Sequence, residues 1–108
     1  MHFREIYTYM EQIEKNFWGQ KIQLSPLIRR RLNLEDLKYH LIYLLEDAEP
    51  CSYNSIGNFI SDMCDILKDS FLEENNISAT PKTKDELYHY LVDLFYKSLS
   101  EFYFDECK

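Results

Sequence analysis

The sequence predicts an all-α domain in which four to five amphipathic helices form a compact bundle or an orthogonal array. Apolar residues recur at steps of three and four along most of the chain, which is the spacing that lines one face of a helix. Only two glycines and three prolines interrupt the 108 residues, of which 45% are hydrophobic and 16% aromatic. Because about 100 to 200 residues usually form one core, residues 1–108 are expected to be a single domain.

Capping residues divide the N-terminal half into three predicted helices. The first covers residues 2–18. Ser25 is followed by Pro at the first helical position, where its missing N–H costs nothing, and this predicts a short second helix through Arg31. Asn33 can cap a third helix, which Pro50 ends. The pattern leaves open whether the segments on either side of Asn33 are two helices or one bent helix.

Two longer helices, separated by a loop, are predicted in the C-terminal half. Ser52 or Asn54 opens the first, which runs to about Glu74. Residues 75–81 are rich in turn formers and have no apolar period, which indicates a loop. The run Thr83–Glu86 is typical of a capping box, in which a Thr hydroxyl and a Glu carboxylate each accept a backbone N–H. The last helix is therefore expected to begin there.

The charge of the chain limits its partners. A formal net charge of −7 and a pI near 4.9 oppose direct binding to nucleic acid, since phosphates are bound by clustered Lys and Arg. A basic protein is the expected partner. No segment approaches the roughly 18 apolar residues that span a bilayer, and the N-terminus has no charged stretch followed by an apolar run. We therefore expect no membrane association and a cytoplasmic location.

Three cysteines, Cys51, Cys64 and Cys107, are widely and unequally spaced. An odd number at such spacings supports neither a disulfide framework nor a Cys-x-x-Cys metal site. Cys64 falls at the edge of an apolar helical face, where it is expected to fill space in the core. All three are expected to be reduced thiols.

No group of residues has the spacing of a catalytic or metal site. Glu86 and His89 form a single Glu-x-x-His, whereas di-iron bundles use two copies and two further glutamates. Helical geometry also directs His89 away from the apolar stripe of its helix. Gly19 and Gly57 are too few for a phosphate-binding loop, and no Ser or Cys lies beside a base. We therefore predict no catalytic residue, no metal ligand and no cofactor, and do not expect an enzyme.

The only basic cluster is Arg29–Arg31, just before a Leu-rich helix. Three arginines in an otherwise acidic chain more often pair with carboxylates or stabilise a helix C-terminus than contact nucleic acid. A structural role is therefore expected for the cluster.

One line of carboxylates follows the predicted helix that begins near residue 54. We call it the acidic ridge; its members are Asp62, Asp65, Asp69 and Glu73. Like charges at steps of three and four repel one another by a few tenths of a kcal/mol per pair, and Lys68 is the only basic side chain nearby. The ridge is either a solvated outer face or a docking surface for a basic protein, whose association clustered carboxylates accelerate.

Carboxylates and tyrosines share one side of the third predicted helix. This tyrosine patch comprises Glu35, Tyr39, Tyr43 and Glu46, on the side opposite the Leu stripe. Tyr96 and Tyr103 also leave the core side of the last helix. Tyrosine is enriched in binding hot spots because it brings a large area, a hydroxyl and little rotamer entropy. The alternative is that some of these rings pack beneath a neighbouring helix.

An acidic helical domain of this size, with such a ridge and patch on its outer faces, resembles the bacterial immunity proteins that neutralise nuclease toxins of colicin and contact-dependent growth inhibition systems. The resemblance covers the whole chain and rests on character, since the Asp-x-x-Tyr-Tyr-Pro signature of DNase-colicin immunity proteins is absent. It implies stoichiometric inhibition, in which the eight ridge and patch residues cover the nucleic-acid-binding or active-site cleft of a basic toxin.

Two other functions fit the same features. A phage-encoded anti-defence inhibitor would use an identical acidic surface against a host nucleic-acid-binding effector, and gene neighbourhood distinguishes it. A self-associating structural or regulatory domain would use the exposed tyrosines as a dimer interface, and a mass measurement in solution distinguishes that. The chain itself is expected to be a monomer or a weak homodimer.

Overall fold

Five α-helices and one 3₁₀ turn make up most of the chain that the structure describes. Their bounds are α1 Phe3–Gly19, α2 Pro26–Arg29, α3 Leu34–Asp47, the 3₁₀ turn Pro50–Ser52, α4 Ile56–Glu74 and α5 Pro81–Glu106. This computed structural model describes the backbone of residues 3–19, 24–47 and 49–106 and the side chains of residues 8–19, 24–43, 49 and 51–100. No strand occurs within these ranges, so the predicted all-α fold is confirmed.

Helix α5 is the element against which the other long helices pack. Its most extensive interfaces are with α4, which precedes it, and with α1, while α3 packs against α1. Every α-helix contributes a fully buried side chain to one core: Ile13, Ile28, Leu41, Ile60 and Phe95. The radius of gyration is 13.5 Å, close to the ~13 Å of a compact chain of this length.

A buried serine joins α1 to α5. Ser98 lies among the apolar residues of α5 and donates a hydrogen bond to the Leu94 carbonyl at 2.7 Å. Its oxygen accepts a hydrogen bond from Asn16 Nδ2 of α1 at 3.0 Å. The hydroxyl is thus satisfied in both directions, as a buried polar group must be.

The segments around Asn33 are two separate helices, which settles the question that the sequence pattern left open. Helix α2 begins at Pro26, as predicted, but ends at Arg29 rather than at Arg31. The Asn33 side chain accepts hydrogen bonds from the backbone N–H groups of Glu35 and Asp36, at 2.8 and 3.3 Å. Asn33 is therefore the N-cap of α3, as the sequence indicated.

Helix α4 begins later than the sequence analysis predicted. Its N-cap is Ser55, whose hydroxyl accepts the Asn58 N–H at 3.1 Å, so the predicted starts at Ser52 or Asn54 are wrong. The Ser52 hydroxyl instead donates to the Glu49 carbonyl at 2.7 Å within the 3₁₀ turn. Several Ser and Asn residues close together offer competing caps, and Ser55, which has the extended backbone of an N-cap, is the one that caps the helix.

The end of α4 at Glu74 matches the prediction, and its geometry explains the stop. Asn76 adopts a left-handed backbone with φ 53°. The Asn76 N–H donates to the Glu73 carbonyl at 3.1 Å, and the Ile77 N–H donates to the Leu72 carbonyl at 2.9 Å. This pair of bonds is a Schellman motif, and Asn tolerates its left-handed position better than most residues.

Helix α5 begins at Pro81, so the capping box predicted at Thr83–Glu86 is wrong. Thr80 is the cap: its hydroxyl oxygen accepts the Thr83 N–H at 3.2 Å, and its carbonyl accepts the Lys84 N–H at 3.0 Å. Pro81 occupies the first helical position, where its fixed φ favours the helix and its missing N–H is not needed. The Thr80 cap and Pro81 therefore determine where the helix begins, although the capping-box sequence Thr83–Glu86 lies one turn later.

Substitution of the two threonines tests where α5 starts. Thr80→Ala should lower the free energy of unfolding by about 1 kcal/mol, because it removes the N-cap. Thr83→Ala should change it by less than about 0.5 kcal/mol, since this residue lies inside the first turn, where Ala is a good helix former. Urea unfolding followed by circular dichroism measures both, and a larger loss for Thr83→Ala would restore the capping box.

A matched pair of isoleucines on α4 tests the assignment of core and surface. Ile60 is fully buried, whereas Ile66 is 56% exposed. Ile60→Ala should lower the free energy of unfolding by about 2 to 5 kcal/mol, through lost burial and the cavity that remains. Ile66→Ala should leave it within about 0.5 kcal/mol. Equal losses of unfolding free energy for the two variants in chemical denaturation would show that the buried face of α4 is assigned wrongly.

Candidate partner-binding surfaces

The tyrosine patch lies on the outer face of α3. Leu37 and Leu41 on the opposite face are buried, while Tyr39 is 68% exposed and Tyr43 60% exposed. The alternative that these two rings pack beneath a neighbouring helix is therefore excluded. Glu35 is exposed one turn before Tyr39. Glu46, the fourth predicted member, lies outside the residues whose side chains are described.

Polar contacts on both flanks of α3 join this helix to α1 and α4. On one side Lys38 Nζ lies 3.0 Å from Glu14 Oε2 of α1 and 3.7 Å from Glu35 Oε1. The hydrogen bond to Glu14 is the main reason why the pKa of Lys38 is raised. On the other side His40 Nε2 lies 3.5 Å from Glu74 Oε2 at the end of α4. Neither α1 nor α4 covers the outer side of α3.

All four residues of the acidic ridge are exposed, but two of them pair with the same lysine, Lys68. Lys68 Nζ lies 2.7 Å from Asp65 Oδ1 and 3.5 Å from Asp69 Oδ1, and its side chain is only 15% exposed. The hydrogen bond to Asp65 is the main reason why the pKa of Lys68 is raised. The repulsion expected along the ridge is thus partly relieved from within the protein.

Asp62, the first ridge residue, lies near Tyr53 of the segment before α4. Burial first, and then the charge of Asp62 and hydrogen bonding to it, raise the pKa of Tyr53. The Tyr53 ring packs edge-on against Phe59, with centroids 5.4 Å apart. Tyr53 thereby connects the segment before α4 to that helix, a role that sequence spacing does not reveal.

A shallow polar groove between α4 and the start of α5 was not predicted. Ser61 and Tyr88 share a hydrogen bond of 2.5 Å between their hydroxyls, and Lys68 Nζ lies 5.9 Å from the centre of the Tyr88 ring. Lys84 and Asp85 line the same groove. Lysine and aspartate side chains both line the groove, so its charge favours neither an anionic nor a cationic ligand.

The Glu-x-x-His pair does not form a site. His89 is exposed, and its Nε2 lies 3.5 Å from Asp85 Oδ2 one turn earlier. Glu86 is in the second turn of α5 and is not a capping residue, contrary to its predicted role. Within the residues that the structure describes, no three His, Cys, Asp or Glu side chains are placed to hold a metal ion.

The cysteines differ from the prediction in one respect. Cys64 is free and fully buried, and burial raises the pKa of its thiol well above the usual range. Cys51, in contrast, is disulfide-bonded, so the expectation of a reduced thiol is wrong for this residue. Distance along the chain does not determine distance in the fold, and spacing alone was therefore a poor guide. Cys107 lies outside the described residues.

Two of the three arginines in the cluster contact the backbone at helix ends. The Arg31 guanidinium donates a hydrogen bond to the Asn75 carbonyl at the C-terminal end of α4, where a cation is favoured by the helix dipole. Arg30 Nε donates to the Pro26 carbonyl at 3.2 Å. Among the described side chains, none of the three arginines forms an ion pair with a carboxylate.

No family model, curated protein or solved structure matches the chain. None of the helices in the described part is both long and apolar enough to cross a membrane. The exposed surfaces therefore carry the functional argument.

The ridge can be neutralised to test whether it supports the fold. The triple variant Asp62→Asn, Asp65→Asn and Asp69→Asn should change the free energy of unfolding by less than about 1 kcal/mol, because exposed ion pairs contribute little and the repulsion among the carboxylates also disappears. Urea unfolding measures the change. A loss above about 2 kcal/mol would show that the pairs with Lys68 and Tyr53 are structural.

Proposed function

We propose that the protein is an immunity-type inhibitor that binds and neutralises a basic bacterial toxin of the nuclease class. One observation carries the proposal: Tyr39 and Tyr43 are more than half exposed, on successive turns of α3 and beside Glu35, in a chain of net charge −7. A surface of this composition fits a cationic protein better than it fits solvent.

Exposed aromatic rings are the first support for this function. Tyrosine in water contributes little to the stability of a helix, whereas at an interface it brings contact area and a hydroxyl at low entropic cost. Tyr39 and Tyr43 point the same way because they are four residues apart. The two rings can therefore enter one partner surface together.

Electrostatic attraction is the second support. A protein of opposite charge is steered toward an acidic surface, which raises the association rate more than it raises affinity. On the ridge, Lys68 occupies Asp65 and Asp69 as a direct partner, but one lysine against four carboxylates leaves the ridge net negative, so it still attracts a basic protein over a distance. The patch would form the contacts of the bound state, and the ridge would accelerate encounter.

The mechanism is stoichiometric. A nuclease binds its substrate in a cleft lined with Lys and Arg. Carboxylates and tyrosines placed over that cleft occupy the positions of phosphates and bases, so the substrate is excluded. Neither turnover nor a cofactor is needed for such an inhibitor.

Capture from the native host, followed by an inhibition assay, tests the proposed function. The protein should retain one basic protein, and the purified partner should degrade DNA or RNA until one equivalent of the inhibitor is added. A captured protein without nuclease activity would contradict the proposal. So would a partner-free protein that is a tight dimer through the tyrosine patch, since the dimer would cover the binding surface.

Binding kinetics separate the two surfaces. Tyr39→Ala or Tyr43→Ala should weaken binding by about 1 to 4 kcal/mol, mainly by faster dissociation. The triple Asn variant of the ridge should associate more slowly and with less dependence on salt. Tyr96→Ala is the matched control, because Tyr96 is 46% exposed on α5, outside both surfaces.

Charge reversal of Arg29–Arg31 should leave affinity nearly intact. A hundredfold loss of affinity would show that the partner binds at the arginine cluster and not at the acidic surfaces.

A further inference from the structure

The two acidic surfaces differ in the side chains that accompany their carboxylates. On the ridge, Lys68 pairs with Asp65 and Asp69 and offsets one of their two charges, and the large exposed apolar side chain of that helix is Ile66. On α3, Lys38 is 19% exposed, with its ammonium 3.0 Å from Glu14 and 3.7 Å from Glu35, and the large exposed side chains are Tyr39 and Tyr43. Among the described residues, aromatic rings that are more than half exposed therefore accompany the carboxylates of α3 but not those of the ridge.

The outer face of α3 combines aromatic rings with exposed carboxylates. Glu35, Tyr39 and Tyr43 follow one another at intervals of four residues, just over one turn or about 6 Å apart along the axis. Asp36 is exposed beside Glu35 and forms no ion pair among the described side chains. A single side chain of a partner, if it lies along this face, can contact a carboxylate and an aromatic ring at the same time.

We infer that the outer face of α3 binds guanidinium groups, and that it recognises arginine rather than lysine side chains on its partner. The inference rests on the proposed function for the identity of the partner, and it adds which residue type of that partner is recognised. Charge complementarity alone would accept either cation.

The preference for arginine follows from the shape of the guanidinium group. It is planar, weakly hydrated and able to stack on an aromatic face while its N–H groups donate to a carboxylate. An ammonium is compact and strongly hydrated, so it gains less from an exposed ring. Tyr39 supplies the ring, and Glu35 or Asp36, about 4.5 to 6 Å away along the helix axis, supplies the carboxylate within one arginine length.

Two peptides of equal charge test this selectivity without the natural partner. N-acetyl-tetra-arginine amide and N-acetyl-tetra-lysine amide are titrated into the intact protein at low salt, and the dissociation constants are obtained from NMR shifts. The arginine peptide should bind about two- to fivefold more tightly, with its largest shifts at Glu35, Tyr39 and Tyr43. Equal affinities, or largest shifts on the acidic ridge, would overturn the inference.

Variants show whether the rings cause the preference. The double variant Tyr39→Leu and Tyr43→Leu keeps an apolar side chain at both exposed positions and should bind the two peptides equally. Tyr96→Leu, the matched control on α5, should retain the preference. A preference that survives the double variant contradicts the inference.

The arginine selectivity and the proposed function can fail independently. If the peptides bind equally while the captured nuclease is still inhibited, only the arginine selectivity is wrong. If the selectivity holds and no nuclease is inhibited, the proposed function is wrong.

Discussion

The packing of α5 is the interaction on which the rest of the domain depends. Leu87, Leu91, Leu94 and Phe95 follow one another along one side of this helix, and all four are buried. The helix has its largest interfaces with α4 on one side and with α1 on the other. Burial of this stripe is the main stabilising contribution, since apolar area removed from water contributes about 25 cal/mol per Å². The two long helices are thereby held on a common support.

Helix α3 occupies a different position, and that position explains its exposed face. It packs against α1 and buries Leu37 and Leu41 in the core. The polar contacts of Lys38 with Glu14 and of His40 with Glu74 close its two flanks. Nothing in the described part of the chain lies over the remaining side. Tyrosines on that side are therefore available to another molecule.

Helix type and core face were predictable because apolar periodicity reports them directly. Helix starts were less so, since more than one residue near each start can serve as a cap. The Thr83–Glu86 box was overridden by Thr80 with Pro81, and Ser52 or Asn54 by Ser55. The hydrogen bonds of the folded chain show which candidate caps each helix, and residue identity alone does not show it.

The candidate surfaces were predictable only in part. Exposure of Tyr39 and Tyr43 follows from helical geometry. On the ridge, Lys68 reaches Asp65 through helical spacing, and a count of carboxylates alone overestimates the charge that the ridge can offer. Other contacts depend on the fold: Tyr53 approaches Asp62 from the segment before α4, and Glu14 of α1 approaches Lys38 of α3. The disulfide at Cys51 was missed for the same reason.

The central claim is that the outer face of α3, rather than the ridge of α4, contacts the partner. Cross-saturation NMR of the complex tests it most directly, because magnetisation passes from a protonated partner only to those protons of the deuterated protein that touch it. The account predicts the strongest effects within residues 35–43 of α3 and weak effects along Asp62–Glu73. Strong effects confined to Asp62–Glu73, with α3 unaffected, would contradict it.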